Sequence, residues 1–285
     1  MYSLSDPNTD SVNAYTTLFV FDAGHVDTLY LNTSHLPATL LSDVLPMLDF
    51  RFLTHVAVPA GIEPAFMTDF LLRHSRLRVF EHAEYYGGQP TLTTHPIVHP
   101  RLLELKAQGI AGIERALTAL GSSPSLSTLS FTICPNKHDS ERLADLSPGL
   151  RVIAQRPMDT PPILLALKVM DIDHSSPHII IMVPRIPNAS FFSLGDDEAS
   201  AIIRSLHCVH EVKITSASRE TASAMLPWLA LFPALRKVAF DVYEDECLER
   251  FGPLPGASAK QEAHDGLRRL AEGMLEGVVV EVGLR

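Results

Sequence analysis

The sequence predicts an α/β solenoid, with a parallel sheet curving along the concave side and helices along the convex side. Three observations predict it. An apolar triplet returns at nearly even intervals, helical periodicity fills the gaps, and the interval is too short for the βαβ unit of an open sheet. The triplet is plain in LSTLSFTIC, Leu126 to Cys134, where apolar residues hold positions 1, 4 and 6 of a six-residue window. Positions 4 and 6 are two apart and share one face of a strand.

Taken in chain order, Val26/Leu29/Leu31, Leu53/Val56/Val58, Leu102/Leu105/Ala107 and Leu126/Leu129/Phe131 fit the triplet. Val209/Val212/Ile214, Leu235/Val238/Phe240 and Leu275/Val278/Val280 fit it too. Leu77/Phe80/His82 and Leu150/Ile153/Gln155 match at two positions, and Ile179/Met182 lies in a run, HIIIMV, of ambiguous phase. The first five steps between starts are 27, 24, 25, 24 and 24 residues, and the later ones are 29, 30, 26 and 40. A βαβ unit of an open sheet needs about 30 residues or more. Shorter units suit a stack in which each unit hides its apolar side chains against its neighbours.

Helical spacing appears at 39–50, 63–75, 113–123, 140–146, 197–206, 219–232 and 264–277. Asp196-Asp197 before Glu198, and Ser218 before Arg219-Glu220, are N-cap and first-turn acid signals. Gly277 stands where a glycine closes the last helix. Pro227 and Pro233 should kink or end the helix that carries Trp228, itself expected in the core. The long last step predicts an insertion near 243–262, an acidic loop and a second-choice contact region. Residues 1–14 are expected to be ragged, with residues 15–285 forming one domain.

Composition bounds the function. The 285 residues are 46% hydrophobic and 20% charged, with a formal net charge of −10. That sign disfavours a general nucleic-acid or anionic-membrane surface. No run approaches the ~20 apolar residues of a membrane span. Cys134, Cys208 and Cys247 form no CxxC pair and read as free thiols in a reducing compartment, the cytoplasm or nucleus.

The triplets resemble leucine-rich repeat proteins across residues 26–284. That family continues with Asn or Cys at position 9, which satisfies backbone groups in the turn. Here position 9 holds Ser34, Gly61, Tyr85, Ile110, Cys134 and Met158, and of these Cys134 alone matches. The turns are therefore expected to satisfy their backbones by other means. FLTHVAV with FLLRHSRLRVFEH, within 52–82, and SPHIIIMVPRI at 176–186 are similar to the C-terminal repeat regions of fungal F-box-like proteins. There, an F-box recruits a ubiquitin ligase and the repeats hold its substrate. No F-box is read in residues 1–25, so the resemblance implies the recognition half alone.

With positions 1, 4 and 6 inward, positions 3, 5 and 7 face the concave side. The candidate partner-binding residues read this way are Tyr30, His55, Glu81, Glu104, Lys106, Thr128, Ser130, Arg156, Glu211, Lys213 and Lys237. Both charges, hydroxyls and small apolar groups are mixed there, which suits a protein partner better than a polyanion. The oligomeric state is left open.

Motifs for catalysis are missing: no G-x-S-x-G, P-loop, G-x-G-x-x-G or H-E-x-x-H occurs. No cofactor and no metal are expected. DIDHSSPH at 171–178 gathers Asp171, Asp173, His174 and His178. It could hold a metal only if the loop folded back on itself, and a solvated loop is the simpler reading. His207 and His210 flank Cys208 at the start of a strand, where a buried inert thiol is usual. The rival reading is an enzyme of compact α/β fold with its site near 171–178 or 207–210.

Overall fold

Alternation builds the strands. In Thr128–Ile133 the apolar Leu129, Phe131 and Ile133 are buried, while Thr128, Ser130 and Thr132 between them stay half-buried. The computed structural model describes residues 26–31, 49–59, 62–83, 92, 95–133, 143–169, 197–242 and 257–284. Its strands are β1 (Thr28–Tyr30), β2 (His55–Pro59), β3 (Val79–Ala83), β4 (Glu104–Gln108) and β5 (Thr128–Ile133). They continue as β6 (Ile163–Val169), β7 (Val209–Ala217), β8 (Lys237–Val242) and β9 (Val279–Leu284). All nine form one sheet in chain order, and every neighbouring pair is parallel.

Register aligns the apolar positions into rows. Val56, Phe80, Leu105, Leu129, Leu165, Val212, Val238 and Val280 stand side by side across eight strands. All are 6% exposed or less. Burying each such side chain contributes about 1.5–3 kcal/mol.

Six α-helices lie among the described residues: α1 (Pro64–Arg73), α2 (Ile110–Leu120), α3 (Ser147–Ala154), α4 (Asp197–Arg204), α5 (Arg219–Leu229) and α6 (Ala257–Met274). Helix α2 packs on β3 and β4, α5 on β7 and β8, and α6 on β9. Helices α2 and α3 also pack on each other. Gly149 permits that approach, because a Cβ there would lie 2.7 Å from the Leu117 Cβ and 3.0 Å from the Glu114 carbonyl oxygen. Ser218 caps α5 as its sequence predicts, its hydroxyl accepting from the Thr221 amide at 3.2 Å. Trp228 is 2% exposed and meets Phe232 edge to face, with ring centroids 4.7 Å apart.

The turns entering the strands supply their own polar ladder. Phe50, His74, His99 and Ser123 each stand three residues before a triplet, and the amide at position 1 donates back to their carbonyls in turn. Their side chains link successive units. His74 Nε2 accepts from the Phe50 amide at 3.0 Å, His99 Nε2 lies 3.1 Å from the His74 carbonyl, and Ser123 Oγ accepts from the His99 amide at 3.2 Å. A buried backbone group left unpaired costs roughly 1–3 kcal/mol, so side chains at this position are constrained to polar reach.

Several expectations are corrected. The strand expected from Leu150 is helix α3, and the true strand β6 begins at Ile163. Leu150 and Ile153 are three apart, a spacing that helix and triplet share, and a polar third position does not separate the two, since His82 holds it in β3. The last triplet is slipped by two, since Val238 pairs with Val280 and Phe240 with Val282. The fault leaves the inward face unchanged because strand periodicity is two. His82, unlike the other position-6 residues, is a polar side chain at 0% exposure. Helix α6 starts at Ala257, so the end of the expected insertion is helical. It ends at Met274, and Gly277, at φ 77°, sits three residues on in the turn to β9. Pro227 lies inside α5 rather than ending it. At 140–146 the helical spacing yields a 3-10 turn, Leu143–Leu146. Residues 1–14, 39–48, 171–182 and 243–256, with Cys134 and Cys247, lie outside the described residues.

Candidate functional site

Positions 3, 5 and 7 of the strands share the face opposite the core row. Wherever their side chains are described, they are half-buried or exposed, and none is buried. The face is thus open, and register sets out its chemistry. One row runs Thr28, His55, Val79, Glu104, Thr128, Leu164, Glu211, Lys237 and Val279. The next runs Tyr30, Ala57, Glu81, Lys106, Ser130, Ala166, Lys213, Ala239 and Glu281.

At the β1 end, Tyr30 is 54% exposed and stands edge-on to the His55 ring, with centroids 5.2 Å apart. His55 Nε2 lies 3.8 Å from a Glu81 carboxylate oxygen. Burial lowers the pKa of His55 and Lys106 lowers it further, against the pull of Glu81 and Glu104. Next along the sheet, Glu104 accepts from the Ser130 hydroxyl at 2.8 Å and lies 3.9 Å from Lys106 Nζ. At the β9 end, Lys237 Nζ meets Glu281 at 2.9 Å, and this hydrogen bond raises the lysine's pKa. Glu211 and Lys213 are exposed, and Thr128 is half-buried between Glu104 and Leu164.

Ten of the eleven predicted residues therefore share this face. Arg156 does not. It follows α3, is 7% exposed, and its Nη2 donates to the carbonyls of Leu126 at 2.8 Å and Pro124 at 3.3 Å. Burial lowers its pKa, and its Nε and Nη1 have no hydrogen-bond partner among the described residues. Reading residue 150 as a strand start put Arg156 on the wrong element.

The same misreading hid Leu164, Ala166 and Lys168 of β6, whereas Glu281 keeps its outward parity through the slip in β9. The run ILLALKV after Pro161-Pro162 was the available signal: a proline pair bounding a seven-residue run that is apolar but for Lys168. With β6 in place, the third row reads Gln108, Thr132, Lys168, Thr215 and Asp241. A cleft of about 270 Å³ opens over β3–β7, lined by residues that include Glu81, Lys106, Gln108, Thr132, Ala166, Lys168 and Thr215. Close by, β7 bulges between Thr215 and Ala217, with Ser216 at φ 58°.

Elsewhere the catalytic signals are weak. Burial raises the Cys208 thiol's pKa, opposite to the shift a nucleophile needs, and its Sγ lies 3.8 Å from the Ile153 carbonyl. No cluster of three or more His, Cys, Asp or Glu capable of holding a metal occurs among the described residues. No described helix is long and apolar enough to cross a membrane. The chain matches no protein-family model and no curated protein.

Proposed function

We propose that this chain is a divergent leucine-rich-repeat solenoid that acts without catalysis, as a protein-interaction module gripping its partner on the concave face of the sheet. The observation that supports this reading is the pairing of an inward face that is apolar but for His82 with an open face along the nine strands. The apolar rows and the helices packed on the strands account for the first. Nothing structural requires the second to alternate Glu, Lys, Thr and Tyr. A mixed polar surface of this width can engage a polypeptide through scattered hydrogen bonds and charge pairs around a few anchoring residues. Tyr30 is the aromatic anchor at one end. In its specific form the reading is that of the substrate-holding repeats of an F-box-like receptor, resting on the phrases at 52–82 and 176–186.

Affinity capture from cells that make the protein, read by mass spectrometry, tests it. Replacing Tyr30, Glu104 and Lys106 together by Ala should reduce recovery of the partner at least about tenfold, the loss of a single anchoring contact. The unfolding midpoint should hold, because all three side chains lie on the open face. Undiminished capture would move the contact off this face.

A further inference from the structure

We propose that the cleft over β3–β7 receives the carboxylate of an acidic side chain carried by an extended peptide. The inference rests on the open face being the partner surface and names what one part of that surface recognises. Gln108, Thr132, Lys168 and Thr215 occupy consecutive places in one register row, on β4, β5, β6 and β7. All four line the cleft of about 270 Å³. None of the four makes a side-chain hydrogen bond or ion pair with another described residue. The row thus presents an amide, a hydroxyl, an ammonium and a second hydroxyl, all able to donate and none paired among the described residues. With strands ~4.8 Å apart, the donors span ~14 Å, the length of a few extended residues.

Charge selects a carboxylate over a phosphate. Lys168 is the one full positive charge in the row, and Asp241, which follows Thr215 on β8, is engaged in an interaction of its own. Lys106, also in the cleft, already shares Glu104 at 3.9 Å, and Glu81 lines the same space. A monoanion balances Lys168, whereas a dianion would leave excess negative charge facing Glu81. The whole chain carries −10 and repels acidic peptides at long range, so any affinity for one must come from local donors.

The test uses the full chain and three short fluorescent peptides followed by anisotropy. One alternates Thr and Glu, and β-branched residues keep it extended. A second carries Gln for Glu, and a third phosphoserine for Glu. The Glu peptide should bind saturably, with the Gln peptide about tenfold weaker, as expected for one charge-assisted contact. Lys168→Gln should cost the Glu peptide about the same factor, and Lys168→Arg should restore it. Equal binding of the Gln and Glu peptides, indifference to Lys168→Gln, or tighter binding of the phosphoserine peptide overturns the assignment. Each of these leaves the open face standing as a peptide surface. No saturable binding by any peptide also overturns it, and the capture experiment then decides separately whether the face itself survives.

Discussion

His82 is the residue at which this sheet departs furthest from its own rule. Every other inward position-6 residue described is apolar, yet His82 is fully buried, and neither ring nitrogen has a hydrogen-bond partner among the described residues. Burial first, then the charge of Arg115, lowers its pKa from 6.5 to about 4. The folded state therefore holds the ring neutral, while the unfolded chain takes up a proton below about pH 6.5. Its contribution is intact above that pH and is lost as pH falls from 6.5 toward 4. The linkage predicts a loss of roughly 2 kcal/mol between pH 7.5 and pH 5. Burial lowers the pKa of His74 and His99 as well, so they add loss of the same sign. Replacing His82 with Leu should stabilise the protein at neutral pH by about 1–3 kcal/mol, since it removes an unsatisfied buried polar group. It should also remove His82's share of the pH dependence. Urea midpoints of both proteins at the two pH values check this; identical pH dependence in the variant would contradict it.

At the scale of elements, the decisive contact is between α2 and α3. A Cβ at Gly149 would press on the Leu117 Cβ and the Glu114 carbonyl, neither of which is the free end of a flexible chain. Gly149→Ala should therefore destabilise by about 1–3 kcal/mol, despite alanine's better helix propensity. A thermal shift near zero would mean that the two helices slide apart freely. This contact also shows where the sequence misleads. Strand rows with three apolar positions, such as Leu126/Leu129/Phe131, are legible because period two is visible in them. Leu150/Ile153 is not, since a helix presents the same three-residue spacing. The cost at the candidate site was specific: Arg156 was placed on the open face and Lys168 was missed. The ladder of His74, His99 and Ser123 was legible only as a requirement that the turns be satisfied. Which side chains meet it depends on the three-dimensional stacking of units 24 or 25 residues apart.

At the scale of the molecule, chain order and sheet order coincide from β1 to β9. That is what a repeating triplet demands when each unit can hide its apolar residues only against the next. The period is regular where the units are short, from 53 to 126, and β5 to β6, β6 to β7 and β8 to β9 are joined by longer connections. Because parity survives those irregularities, the open face keeps its mixed polar character from β1 to β9, and the partner is proposed to bind there. The most direct test places a photo-crosslinking amino acid at Ser130, on the open face, and separately at Arg204, exposed on helix α4, in cells that make the protein. The account predicts a discrete partner adduct from Ser130 and none from Arg204. An adduct from Arg204 alone, or the same adduct from both, would contradict it.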